Sequence, residues 1–337
     1  MPPLLSVRDL KVELPIGGSF FPAVDGVDFD LQAGEALAIV GESGCGKTLT
    51  ARALMNLLPE GSRIGGSVLY RGRDLLALNE NAWRHLRGRE IAMVFQEPAA
   101  ALDPVQTVGD QILEALMAHV SLSRADALAR ARRILEEVSL PDPDRALSEY
   151  PHRLSGGQRQ RACLAIALAA DPSLLIADEP TTALDATIAA EVLDLLDRLR
   201  RERGLGLLLI THDLGVVAGH TDRAIVFYAG RVAEEAATED FFRTPLHPYS
   251  RGLLASAPRR GAGPHERFRA IPGAVPDLAF RPRGACAFAP RCPDRFEPCD
   301  EREPELALVG GTKARCFLYE SRVGPVDSQQ STADSPS

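Results

Sequence analysis

At 337 residues the chain exceeds what one compact core fills, so a main domain with one or two appendages is expected. Its 38 basic and 46 acidic side chains leave a net charge of −8 with no dense Lys/Arg block, which argues against an electrostatic grip on nucleic acid. The N-terminus lacks a basic stretch followed by an apolar one, and the longest uninterrupted apolar run, residues 162–170, is half a membrane span, so the chain is expected to be cytosolic and to cross no bilayer.

In chain order, alternation over residues 10–14 and 27–31, and again over 67–70 before a turn at Arg71-Gly72-Arg73, predicts half-buried strands of an antiparallel edge. Residues 36–40, 91–95, 174–177 and 207–210 are continuously apolar instead, the pattern of central strands covered on both faces of a parallel sheet. These runs end on Gly41, Gln96, Asp178 and Thr211-His212. In an open α/β sheet ligands bind beyond the carboxyl ends of the strands, so four polar ends should converge on one crevice. Between Gln96 and Leu154 the pattern turns helical, with 108–119 and 124–138 rich in Ala, Leu, Glu and Arg, which predicts a helical insert. Arg130, Arg132 and Arg133 are interleaved with Asp126, Glu136 and Glu137 and read as a solvated helix face. After Tyr249 the composition shifts: nine prolines fall between Pro258 and Pro304 and four cysteines between Cys286 and Cys316, which marks a separate small domain. The polar tail 324–337 is expected to be disordered.

Gly41-Glu42-Ser43-Gly44-Cys45-Gly46-Lys47-Thr48 follows the first buried run and opens a helix. That pattern lets backbone N–H groups wrap phosphate oxygens while a lysine reaches the β and γ phosphates and a hydroxyl holds Mg²⁺. Only three of the basic residues, Lys11, Lys47 and Lys313, are lysines, so one inside the loop suggests that a compact ammonium is needed there. Asp178-Glu179 at the end of a buried strand supplies a metal-associated carboxylate and, beside it, a group to orient or deprotonate water. On the residues alone, Lys47, Thr48, Asp178 and Glu179 should perform Mg-ATP hydrolysis, with charge stabilisation as the main catalytic contribution.

A second glycine-rich element, Leu154-Ser155-Gly156-Gly157-Gln158, lies between the loop and Asp178-Glu179, and with it the chain resembles an ABC-type ATPase. The fold implied is an α/β P-loop cassette: a mostly parallel core sheet with helices, an antiparallel β edge and a helical insert, joined to a small C-terminal cysteine-rich domain. The resemblance implies that Gly41, Ser43, Gly44, Cys45, Gly46, Lys47 and Thr48 bind ATP, and that Thr48, Gln96 and Asp178 hold Mg²⁺. It makes Glu179, Gln96 and His212 catalytic, with Gln96 touching Mg²⁺ and the attacking water and His212 the γ-phosphate. Two cassettes close head to tail in that family, so Ser155, Gly156, Gly157 and Gln158 should meet nucleotide held by the partner's loop, and Asp185 should couple the two sites. An aromatic usually stacks on adenine from the N-terminal edge; the matching strand here ends in Leu14, with Phe20 and Phe21 farther along.

The runs 95–104 and 177–185 and the triplet His247-Pro248-Tyr249 look like the oligopeptide/dipeptide (peptide/nickel) importer ATPases, a resemblance that covers roughly residues 5–320. It divides the chain into 1–96, the first part of the ATP-binding core with its antiparallel β subdomain; 97–157, helical; 158–250, the second part of the core; 251–320, cysteine-rich; and 321–337, a disordered tail. The implied role is the ATP-hydrolysing motor for uptake of peptides or a related small solute, peripheral on the cytoplasmic face of the inner membrane. The partners implied are a second ABC ATPase subunit, a paralogue sooner than a second copy, two transmembrane permease subunits and, indirectly, an extracytoplasmic solute-binding protein. The compact insert, with no extended heptad run, and the acidic charge set aside an ABC ATPase acting on DNA or ribosomes, and Glu179 with His212 sets aside a non-hydrolysing regulatory module.

Cys286, Cys292, Cys299 and Cys316 are separated by five, six and sixteen residues in a segment with little core-forming material. Disulfides are disfavoured in the cytosol and free buried thiols seldom cluster, so a metal site is expected, while spacing does not choose the metal. Zinc sites usually show two-residue gaps, and four cysteines also hold 4Fe–4S clusters. The importer resemblance implies the 4Fe–4S cluster, with zinc as the alternative. Cys45 and Cys163 stand outside this set, Cys163 as a small buried hydrophobe.

Overall fold

Gly17 and Gly18, with φ of 57° and 83°, turn the chain between β1 (Leu5–Ile16) and β2 (Ser19–Leu31), a two-residue hairpin in which Ile16 faces Ser19. The computed structural model describes residues 2–257 and 270–322. After the hairpin come β3 (Ala36–Val40), α1 (Lys47–Leu54), β4 (Arg63–Tyr70) and the short β5 (Arg73–Asp74). β4 pairs with the free side of β1, giving an antiparallel sheet of order β2-β1-β4-β5. Gly66 is required there: a Cβ at its φ of 94° would lie 2.3 Å from the carbonyl oxygen of Asp9.

α2 (Glu80–Leu86) leads into β6 (Ile91–Val94), and the insert follows as α3 (Pro98–Ala101), α4 (Val108–His119), α5 (Arg124–Glu137) and α6 (Pro143–Ser148). Thr107 and Ser123 start the two long helices by accepting from the backbone N–H of Asp110 and Asp126, so the helix starts are marked by local chemistry. Then come α7 (Gly156–Leu168), β7 (Leu174–Asp178), α8 (Ala186–Arg203), β8 (Gly206–Thr211), α9 (Leu214–His220), β9 (Arg223–Tyr228) and β10 (Arg231–Ala237). α10 (Thr238–Arg243), α11 (Pro248–Ser256), α12 (Pro298–Glu301), β11 (Leu306–Val309) and β12 (Thr312–Arg315) complete the described chain.

The larger sheet has the order β11-β12-β10-β9-β3-β8-β7-β6, and its β9-β3-β8-β7-β6 part is parallel, with Ile39 beside both Ile210 and Ile225. Successive strand residues face opposite sides. Ala92, Val94, Leu175, Ala177, Leu207 and Leu209 therefore meet the insert, α7 and α8 on one face. Leu37, Ile39, Leu174, Ile176, Leu208 and Ile210 meet Val7, Val12, Val27 and Phe29 of the antiparallel sheet on the other. Both faces are dry, which is why these strands carry no alternation; each fully buried Leu or Ile contributes roughly 1.5–3 kcal/mol.

Two further strands went unread in the sequence: β9 carries the same uninterrupted apolar run, residues 224–228, while β10 does not. β10 contains Glu234 and Glu235, both buried. Glu234 accepts from the N–H of Leu246 (2.9 Å) and His247 (2.7 Å), and Glu235 pairs with Arg223 and with Lys313 (2.9 Å), so partners supplied by the fold offset the cost of burying two carboxylates. The cysteine-rich segment leans on this edge: β12 pairs antiparallel with β10, Glu234 opposite Ala314, and Phe288 packs into a cluster with Tyr228, Phe241 and Tyr249. Too rich in proline to close a core of its own, the segment borrows the sheet edge and core of the preceding residues. The expected disordered tail lies, beyond residue 322, outside the described residues. No helix among the described residues is long and apolar enough to cross a membrane.

Candidate functional site

The loop between β3 and α1 is shaped by three glycines of positive φ: Gly41 (153°), Gly44 (77°) and Gly46 (111°). A Cβ on Gly41 would lie 2.3 Å from the Phe227 carbonyl oxygen and one on Gly46 2.9 Å from that of Ala23, so neighbouring backbone leaves no room for side chains. Lys47 is buried, its Nζ donating to the carbonyl oxygens of Gly41 (2.8 Å) and Glu42 (3.0 Å), and Cys45 Sγ lies 3.7 Å away beneath the loop. Loop, lysine and the first amides of α1 lie together in an arrangement able to receive an anion.

The strand ends meet as expected. Thr48 Oγ1 donates to Asp178 Oδ1 at 3.1 Å, joining the first turn of α1 to the end of β7. Burial pushes the Asp178 carboxyl up, with the neighbouring Glu179 adding to it, while the Thr48 hydrogen bond works the other way. Glu179 takes a φ of 48°, which turns its side chain out of the strand while its N–H still bonds Ile210 O at 2.9 Å. Its Oε2 accepts from Thr182 Oγ1 (2.7 Å) and Gln96 Nε2 (3.0 Å), and its Oε1 lies 3.2 Å from His212 Nδ1. Burial raises the Glu179 carboxyl, but the contacts from Thr182 and His212 outweigh it and hold the group below the ordinary glutamate value. The oxygen donors of Thr48 and Asp178 suit Mg²⁺, a hard cation that keeps oxygen ligands. Gln96 faces the Glu179 carboxylate.

Ser155, Gly156, Gly157 and Gln158 lie elsewhere. Gln158 N–H donates to Ser155 Oγ at 3.3 Å and Ser155 N–H to Gln158 Oε1 at 2.9 Å, a reciprocal cap that starts α7. Gly157 is needed for close packing: its Cβ would fall 2.5 Å from Ile188 Cγ2 of α8, whose own start is capped by Asp185 Oδ1 accepting from Ile188 N–H at 3.0 Å. Ser155, Gly156 and Asp185 are exposed, and none of the four signature residues hydrogen-bonds to the phosphate loop of its own chain.

The cysteine expectation fares differently. Cys286 N–H donates to Cys299 O at 3.0 Å, and the thiols of Cys286, Cys292, Cys299 and Cys316 lie within electrostatic reach of one another. Yet no group of three or more His, Cys, Asp or Glu side chains placed to hold a metal ion occurs among the described residues. Cys299 packs with Ala289 and Phe317, and Cys286 and Cys292 against the Phe288 cluster. Burial raises Cys286 and brings Cys292 and Cys316 to about 11, with the neighbouring thiols adding to each shift. As placed, the four side chains do not converge on one metal centre.

Sequence reading also missed a set of supports. Thr182 was overlooked, though it stands three residues after Glu179. Glu42 N–H donates to Tyr249 Oη at 2.9 Å, and the Glu42 carboxylate is gripped by Arg291 through two bonds of 2.7 and 3.0 Å. Arg281 Nη2 donates to Gly44 O at 2.8 Å. No local signal announces such contacts. At the expected adenine edge Leu14 pairs with Phe21, and the Arg63 guanidinium lies 3.5 Å over the Phe20 ring, so the face of Phe20 is already occupied.

The chain matches the family described as "ABC transporter" over residues 24–182 and the one described as "Oligopeptide/dipeptide transporter, C-terminal region" over residues 233–299. A provisionally designated peptide ABC transporter ATP-binding protein of Sinorhizobium fredii is 49% identical over 317 residues, covering 93% of this chain and 94% of that protein. A provisionally designated peptide import ATP-binding protein of Brucella abortus is 47% identical over 315 residues, with the same coverage of 93% and 94%. Among solved structures, a dimeric ATP-binding cassette in a post-hydrolysis state bound to ADP and Pi superposes with a TM-score of 0.63 at 27% identity, covering 69% of this chain and 98% of that one.

Proposed function

The chain belongs to the ABC transporter family as an ATP-binding cassette, and on that premise we propose that it hydrolyses Mg-ATP to power import of oligopeptides, dipeptides or a related small solute. The observation that carries the chemistry is Glu179, held by Gln96, Thr182 and His212 beside the Thr48–Asp178 pair. The loop amides and Lys47 bind the triphosphate. Thr48 and Asp178 would hold Mg²⁺, with Gln96 at its edge, and when bound the ion neutralises charge on the β and γ phosphates. Glu179, ionised at neutral pH, takes the proton of the attacking water, and Gln96 and His212 fix its two oxygens so that it meets the water in one orientation.

Ser155, Gly156, Gly157 and Gln158 act on nucleotide held by a partner cassette, and Asp185 links the two sites across that seam. Their exposure and their separation from the chain's own loop support this reading. The partner is a second ABC ATPase subunit, and two transmembrane permeases, fed by a solute-binding protein, receive the stroke at the cytoplasmic face of the membrane. Residues 251–320, of which 258–269 lie outside the described residues, make up the small cysteine-rich domain appended to the cassette. A 4Fe–4S cluster on Cys286, Cys292, Cys299 and Cys316, or zinc in its place, is a separate proposal supported by the gathering of four thiols in one corner, and iron, sulfide and zinc analysis of the purified protein decides it. The function itself is tested by reconstituting the chain with its partner cassette and permeases in vesicles. Labelled peptide should enter only with Mg-ATP on the cassette side, and entry without ATP consumption would refute the assignment.

A further inference from the structure

The phosphate loop is held from outside by Tyr249, at the end of the cassette core, and by two arginines that follow it. Arg291, with a side chain only 5% exposed, is locked by its own segment: Nε donates to Pro272 O at 2.7 Å and Nη2 to Gly273 O at 3.3 Å. Its fork then closes on both oxygens of Glu42, at 2.7 and 3.0 Å, a bidentate charged pair that fixes orientation as well as distance. Tyr249 Oη accepts the Glu42 N–H at 2.9 Å, so backbone and side chain of that residue are both anchored. Two residues on, Arg281 donates to Gly44 O at 2.8 Å and to Ala23 O at 3.0 Å, tying the loop to β2. Glu42 in turn presents its carbonyl to Lys47 Nζ at 3.0 Å. Every one of these anchors lies between the loop's lysine and the C-terminal segment, and none touches the Glu179 group.

We propose that Arg281 and Arg291 are positioning residues for ATP binding: the C-terminal segment braces the phosphate loop in its binding shape and thereby sets nucleotide affinity. The inference rests on the reading of this loop as the ATP site. A loop with three glycines of positive φ has many accessible conformations, so an external brace that fixes it beforehand lowers the entropic cost of binding. Such coupling is reciprocal. If the segment tightens nucleotide binding, bound nucleotide must tighten the segment, although none of its cysteines lies in the loop.

The test is binding of Mg-ATP to the full chain by titration, paired with amide hydrogen exchange over residues 286–299. Wild-type protein that binds no nucleotide refutes the ATP-site reading itself and not the brace. Given wild-type binding, Arg281→Met and Arg291→Met should each weaken affinity about tenfold, and Arg291→Lys, which keeps the charge but not the fork, should fall between. Exchange over 286–299 should slow when ATP is added to wild type, and this response should vanish in Arg291→Met and in Lys47→Ala. Should Arg291→Met not fold, Arg281→Met, Arg291→Lys and the wild-type exchange response carry the test. Affinities within twofold of wild type in the folded variants, or exchange over 286–299 indifferent to ATP, would overturn the proposal.

Discussion

His212 Nδ1 stands 3.2 Å from Glu179 Oε1, a contact between the residues that follow β8 and β7, while Gln96 after β6 holds the other oxygen. The carboxylate is thus pinned at both ends by neighbouring strands. On the proposed reading, its orientation as well as its charge should set the rate.

Replacing the proton acceptor should separate binding from turnover. Glu179→Gln keeps the shape and leaves Lys47 and Thr48 untouched, so Mg-ATP should still bind while phosphate release falls by about 10²–10⁴-fold. Lys47→Ala should instead lose binding. Steady-state turnover unchanged in Glu179→Gln would assign the acceptor role elsewhere.

The two flanking residues act through geometry. His212→Ala and Gln96→Ala should each lower kcat, by up to about 10²-fold for a misplaced acceptor, with the KM for ATP changed far less. Parallel measurement of both parameters checks this. A rise in KM alone would mean that these residues bind nucleotide without orienting the water.

Ser155→Ala removes the α7 cap and should cost about 1 kcal/mol of stability, read by thermal unfolding. Its effect on catalysis should appear on the other subunit. With a wild-type partner, vanadate-trapped nucleotide should disappear from the partner's loop and remain on this chain's own. Loss confined to this chain's loop would place the signature in the wrong site.

Acid stability should reveal His247. It is 4% exposed, its Nδ1 accepts the Tyr249 N–H at 3.0 Å, and burial depresses its pKa from 6.5 to about 3, with the Arg251 charge adding to the effect and a hydrogen bond to the Arg315 backbone opposing it. The unfolded chain binds a proton near pH 6.5 that the folded chain refuses, so stability present above pH 6.5 should decline as pH falls toward 3, by on the order of 4 kcal/mol. Glu234, raised by burial, opposes this at the acid end and remains in the comparison. His247→Asn keeps an acceptor without the titration, and its unfolding midpoint should depend less steeply on pH over this interval. Parallel slopes for the two proteins would remove His247 as the cause.

The strand ends that carry the chemistry were legible because their signals are local. A run buried on both faces must be apolar throughout, a loop that wraps phosphate must have glycine where backbone crowds it, and a helix start needs its cap within three residues. Gly41 to Thr48, Asp178-Glu179 and Ser155-Gly156-Gly157-Gln158 all announce themselves by such neighbours. β10 did not, since the partners of Glu234 and Glu235 lie in other segments.

What only the tertiary structure decided is which distant groups meet. Gln96 reaches Glu179 across 83 positions and Arg291 reaches Glu42 across 249, and no periodicity encodes a pair so separated. The cysteines teach the same lesson in reverse: gathering four thiols into one corner needs only chain connectivity, but aiming them at a common centre needs side-chain directions that packing against Phe288 and Phe317 sets. Sequence fixes the chemistry available at each strand end because burial and backbone sterics act over a few residues; contact between ends is settled by the sheet order and the packing of layers, which are properties of the whole chain.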